Sequence, residues 1–314
     1  MNAGEHINQK YSGHRKHLYC LVALLFVGVW DAPGAEVVPP AWEPMESLFR
    51  ADSAPPPPFS VDDGAPHPVE HHYLFEQFAD LDCADFLRGL SYLIHKYQPP
   101  EDPGALPAYT RAMNYRLRVL FEYYPLAARG PDDFTALMTL ISDGRSAETL
   151  RVFLLRQAAP GLEAPTTFGG YLQGHLSKGK GAFDKQLREL TLLPRESTRV
   201  QVTALDVLLA RATSEYAMLL QRDPMGKRPG DDGAPVSIRD FVANPEAAPL
   251  SRRTKLLLER KNEEVGKWAA SLQALATNGQ RDGAVREKAT EVLGVILRDF
   301  PIPNRADFSQ TVPK

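Results

Sequence analysis

Cysteine is scarce in this chain: Cys20 and Cys83 are the only two among 314 residues. Two cannot make the dense disulfide framework that staples small secreted domains, so stability has to come from a packed core. Long apolar runs are missing as well. The most apolar stretch, residues 18–30, is 13 residues, whereas a helix crossing a bilayer needs about 20 at ~1.5 Å each. There is no excess of basic charge, with 36 Lys and Arg against 39 Asp and Glu. That balance, with no basic stripe, excludes the electrostatic footprint of a nucleic-acid binder. The sequence also lacks GxSxG, HExxH, CxxC and GxxxxGK[ST], the spacings that pre-aim a nucleophile, a zinc ion or a phosphate-binding loop. Period-2 alternation is absent too, which argues against β-strands.

What is present begins at the N-terminus. Arg15 and Lys16, flanked by His14 and His17, precede the apolar run, and Asp31 then Ala32, Pro33, Gly34 and Ala35 follow it. Basic, apolar and small-residue zones in that order mark a secretory signal peptide over residues 1–35. The expectation is an exported protein, periplasmic or extracellular, with no membrane span in the mature chain; retention as an uncleaved anchor is the alternative. Cys20 sits too early in the run for a lipoprotein signal. Removing residues 1–35 leaves 33 basic and 37 acidic residues and Cys83 alone. Some 279 residues then remain, ample for one elongated or two compact domains.

Residues 36–68 carry four consecutive prolines at 55–58. Proline fixes φ and lacks a backbone donor, so this segment is expected to be an extended, disordered spacer. From 69 to 301 the pattern is helical. Phe86, Leu87, Leu90, Ile94 and Tyr97 share one face, as do Tyr109, Met113, Leu117, Leu120 and Tyr124. Phe134, Leu137, Met138 and Ile141 form the next stripe, then Leu150, Phe153, Leu154 and Ala158 behind Ser146 as N-cap. Leu205, Leu208, Ala212, Tyr216 and Leu219, followed by Leu258, Val265, Trp268, Leu272 and Leu275, predict a long antiparallel hairpin. An irregular Gly/Pro/Asp-rich loop is expected at 223–250 between them. Val285, Ala289, Val292, Leu293, Ile296 and Phe300 close the helical region, and 302–314 reads as a flexible tail.

The fold class is therefore all-α. Its short-linked helical pairs resemble HEAT-type and related α-solenoids over residues 81–160 and 280–301, with a helical bundle as the alternative. The resemblance is one of architecture; the lack of any catalytic motif and the tether behind a Pro-rich spacer are what favour a binding module.

Few residues suggest chemistry. His67, Glu70, His71, His72 and Glu76 are sound ligand types for zinc. Only His72 and Glu76 pair naturally on a helix, because Pro68 disfavours helix before it. Lys178 and Lys180, in a glycine-rich stretch read as an interhelical loop, could meet an anion. Asp80, Asp82 and Asp85 lack a calcium loop and are expected to open a helix. Cys83 is expected to be a small buried residue. Tyr115 and Tyr123 fall off the apolar stripes and are candidates to line a peptide or glycan groove. The expectation is a non-enzymatic, cofactor-free module for an unidentified protein or peptide partner. The alternative is a metal-dependent or other hydrolase using the cluster near residue 70.

Overall fold

The computed structural model describes residues 38–50, 76–78, 81–124, 131–163, 165–176, 181–221, 250–303 and 308. The expected leader 1–35, the prolines at 55–58, His67 to His72 and most of the 223–250 loop lie outside the described residues. The chain divides at Pro40, and Ala41–Lys314 forms one compact unit. Among the described residues there are ten α-helices and no strand, as the sequence pattern requires. In chain order they are α1 Glu43–Arg50, α2 Cys83–Lys96, α3 Leu106–Tyr123, α4 Pro131–Ser142, α5 Glu148–Gln157, α6 Thr167–Leu176, α7 Ala182–Leu192, α8 Thr198–Gln221, α9 Arg252–Thr277 and α10 Gly283–Asp299. None is long and apolar enough to cross a membrane.

Helix α1 falls inside the segment 36–68 expected to be an extended spacer, so residues 43–50 of that segment are helical instead. Pro44 is harmless in a first turn, where its missing N–H has no intrahelical partner anyway. Met45 and Phe49 are buried, so four residues of spacing give α1 an apolar face. That face sits on α2 at Gly89, where a Cβ would meet Met45 Cε at 2.6 Å and the Trp42 ring at 3.0 Å. Glu46 fixes the contact. Its carboxylate is 2 % exposed and accepts from Arg50 at 2.8 Å, Lys96 at 2.7 Å and the Tyr97 hydroxyl at 3.1 Å. Burial alone would raise its pKa. The hydrogen bonds from Lys96 and Tyr97 and the charges of Lys96 and Arg50 outweigh that and hold it below the usual carboxylate value.

Asp82 opens α2, its side chain accepting from the Asp85 amide at 2.8 Å, and Cys83 is buried as expected. The interior here is aromatic: Phe86 stacks on Tyr124 at 4.0 Å, while Phe121 meets Phe153 at 5.2 Å and Phe168 at 4.6 Å. Phe168 belongs to α6, which lies in the stretch read as a loop. Glycines at 169, 170 and 174 lowered its helical signal. At Gly169 the side chain is missing for a packing reason, since a Cβ there would lie 2.3 Å from Gln157 Oε1. That oxygen accepts from the Thr166 amide at 2.8 Å and hydroxyl at 3.0 Å, which anchors the start of α6.

Three helix pairs follow one plan. α4 and α5, α7 and α8, and α9 and α10 are joined by turns of the same length and hydrogen bonding. Each begins with a bond to a leucine carbonyl: Asp143 N to Leu140, Leu193 N to Leu190, Asn278 N to Leu275. Each continues three residues on, from Ser146 N to Asp143, Glu196 N to Leu193, and Arg281 N to Asn278. Each then starts its second helix, with Arg151 N bonding Ala147, Gln201 N bonding Ser197, and Arg286 N bonding Asp282. Leu137, Leu187 and Leu272 share one register position, and Leu150, Val200 and Val285 another; all six are buried. The cap position before α5 is held by Ala147, with no side-chain cap, and not by Ser146.

The second helices pack in series, α5 on α8 and α8 on α10. Lys288 pairs with Asp206 at 2.7 Å and Tyr216 meets Phe300 at 5.4 Å, so α8 and α10 run in one direction. Helix α9 packs more extensively on α10 than on α8. Its expected stripe, Leu258 to Leu275, is buried throughout, while Leu219 of α8 is only half-buried. Ile302 and Phe308, placed in a flexible tail by the sequence, are buried; both carry side chains apolar enough to return to the core.

Candidate binding surfaces

The first two repeated turns enclose a groove of about 720 Å³, with His95 of α2 at its side. Its floor is an ion pair between the pairs of helices. Arg151 is 2 % and Glu196 5 % exposed, and the guanidinium meets the carboxylate through two bonds of 2.9 and 2.5 Å. Arg151 Nε donates to the Ile141 carbonyl at 2.9 Å, and Glu196 Oε1 also accepts from the Ser197 amide at 2.7 Å. A buried charge pair is tolerable when its remaining donors and acceptors are satisfied in this way. It also fixes the distance between two turns.

The rim is polar. Ser197 donates to Glu148, and Arg199 lies 3.6 Å from the same carboxylate. Arg145 pairs with Asp143 at 3.3 Å. Arg195 is exposed and has no ion-pair partner among the described residues. His95 Nδ1 lies 2.7 Å from the Ser91 carbonyl, which can only accept, so this nitrogen carries the proton. Fixed arginine and hydroxyl groups on a rigid floor suit recognition of a carboxylate or of backbone carbonyls.

A second cavity, about 660 Å³, lies between the end of α6 and helices α7, α8 and α9. Asp184 accepts from Arg211 Nε at 2.6 Å, and Arg211 lies 3.8 Å from Glu215 and 5.2 Å above the Phe183 ring. Lys261 pairs with Glu215 and, at 3.6 Å, with Glu264. Each acid on the wall therefore faces a cation.

The residues singled out from sequence lie elsewhere. Tyr115 is half-buried against the core, and Tyr123 is 6 % exposed within it. Val119, Leu120, Phe121, Tyr123 and Tyr124 are all buried, so Tyr123 lies within the buried side of the chain at the end of α3, and the partly exposed positions there are Arg118 and Glu122. Neither tyrosine lines the two cavities. Glu76 is exposed, and His72, its proposed partner, lies outside the described residues, as do Lys178 and Lys180. Among the described residues no three His, Cys, Asp or Glu side chains are grouped to hold a metal. His175 is half-buried beside Tyr171, with ring centroids 6.2 Å apart. Sequence reasoning missed Arg151 and Glu196. Their one signal is a charged residue beside the apolar stripe of α5, directly after Leu150. No protein-family model, curated protein or solved structure matches this chain.

Proposed function

We propose that this chain is an exported, non-enzymatic helical scaffold that binds a protein or peptide along the edge formed by its successive turns. The observation that carries this reading is the repeated turn, present three times in one register, with the first two copies bolted together by Arg151 and Glu196. A series of helix pairs that stack through their second helices is the plan of an α-solenoid. Such arrays use an edge or face spanning several repeats as an extended binding surface. Export rests on the N-terminal sequence, residues 1–35.

The test is comparative. The mature chain, recovered from the native envelope, is expected to begin near Ala35 or Glu36 by intact mass and to carry a partner in fixed ratio. Replacing Arg145 and Arg195 together by Glu should abolish that co-recovery, while Lys267→Glu, an exposed site on α9, should leave it unchanged. Full-length chain in the cytosol would contradict the export half, and equal recovery with all variants would contradict the turn-edge half.

A further inference from the structure

The cavity between α7, α8 and α9 carries two guanidinium groups that no carboxylate among the described residues pairs with. Arg188 Nε is buried and has no hydrogen-bond partner, and neither Arg188 nor Arg260 has an ion-pair partner among the described residues. The acids that line this cavity are engaged: Asp184 with Arg211, Glu215 with Arg211 and Lys261, and Glu264 with Lys261. A buried donor left unsatisfied is costly, so a ligand that brings an acceptor to Arg188 Nε is favoured here.

Leu176, Met218, Leu219 and Leu257 supply the apolar part of the lining, and Lys185 adds a further cation. Leu257 and Arg260 also belong to an adjoining groove on the outer face of α9, which holds Leu256, three arginines in all (Arg252, Arg253 and Arg260) and two carboxylates, Glu259 and Glu263. Leu256 is 53 % and Leu257 38 % exposed, beside those arginines. An apolar strip thus leads out of a cationic pocket. Cavities of this size hold small molecules.

The geometry points to a binding site for a single-chain anionic amphiphile. Its carboxylate or phosphate head lies between Arg188 and Arg260, and its apolar chain runs over Leu257 and Leu256. This site is separate from the turn edge, and its test is independent of the scaffold reading.

Calorimetric titration of the full mature chain with decanoate, decyl phosphate, decanol and inorganic phosphate tests it. Decanoate and decyl phosphate should bind saturably at one site per chain, with Kd on the order of 10–100 µM. Tighter binding of decyl phosphate would assign the head as phosphate, and tighter binding of decanoate would assign it as carboxylate. The double variant Arg188→Gln, Arg260→Gln should weaken both by roughly tenfold or more. Arg260→Glu alone, at an exposed position with no ion pair or side-chain hydrogen bond among the described residues, should weaken both as well. Decanol binding as tightly as decanoate would overturn the ionic half. Inorganic phosphate binding as tightly as decyl phosphate would overturn the apolar half. No saturation, or unchanged affinity in the variants, would overturn the site.

Discussion

The two junctions between the repeated turns are built from different chemistry. Between the first and second turns, the third residue past the leucine-bonded start, Glu196, faces Arg151 in a buried two-bond ion pair. Between the second and third, the residue in the same register is Arg281, which is half-buried and donates to the Leu193 carbonyl at 2.9 Å and to the Leu192 carbonyl at the surface. The backbone of the turn is the same at both places. One junction is held at its turn by charges withdrawn from water; the other has a hydrogen-bonded clasp at its turn, with apolar helix contacts and the ion pairs of Lys288 with Asp206 and Lys261 with Glu215 behind it. Turn geometry can thus be kept while the inter-turn contact is exchanged, provided that each donor finds an acceptor.

The sharpest way to break this contrast is at the first junction. Glu196→Ala leaves Arg151 buried without its partner and should cost about 3–5 kcal/mol in denaturant unfolding. Replacing both residues by apolar ones of similar volume, Arg151→Met with Glu196→Leu, should be close to neutral by the same measurement. A double replacement as damaging as the single one would mean that the pair does more than occupy space. The apolar interior beneath the second junction comes next. Leu208→Ala or Leu272→Ala should each cost about 2–5 kcal/mol through lost transfer energy and a cavity, and a loss below about 0.5 kcal/mol would place the buried face wrongly.

Helix α1 supplies a smaller, pH-dependent case of the buried-charge junction. The folded pKa of Glu46 is depressed. Its contribution is therefore complete above the unfolded value, about 4.3, and is lost as pH falls through the lower folded value. Amide exchange across α1 should accelerate as pH falls below about 4 relative to the rest of the core, and Glu46→Gln should remove that dependence. The smallest effect belongs to the second junction's clasp. Arg281→Ala should cost less than about 1 kcal/mol, because water can replace an exposed hydrogen bond.

Legibility from sequence followed periodicity. The stripes of α9 and α10 run three and four residues apart for several turns, and their members are buried as expected. Helix α6 was hidden because Gly169, Gly170 and Gly174 read as loop, although Gly169 is small to admit Gln157. Helix α1 was hidden by its proline-rich surroundings, since eight residues carry too little periodicity to outweigh Pro39, Pro40 and Pro44. The repeat itself was only half visible. The three turns read DGRSA, LPRES and NGQRD, which share almost no residues. Their likeness lies in main-chain bonds and in buried leucines three residues apart. Ion pairs such as Arg151 with Glu196, 45 residues apart, leave no local pattern.

The turn edge as a partner surface is tested most directly by site-specific photo-crosslinking in the native host. A photoreactive side chain is placed at Arg195, at Arg145 and, as a control, at Lys267 on the exposed side of α9. The scaffold reading expects one adduct of defined mass from both turn positions and none from Lys267. Adducts of the same yield from all three positions, or none from the turns, would contradict it.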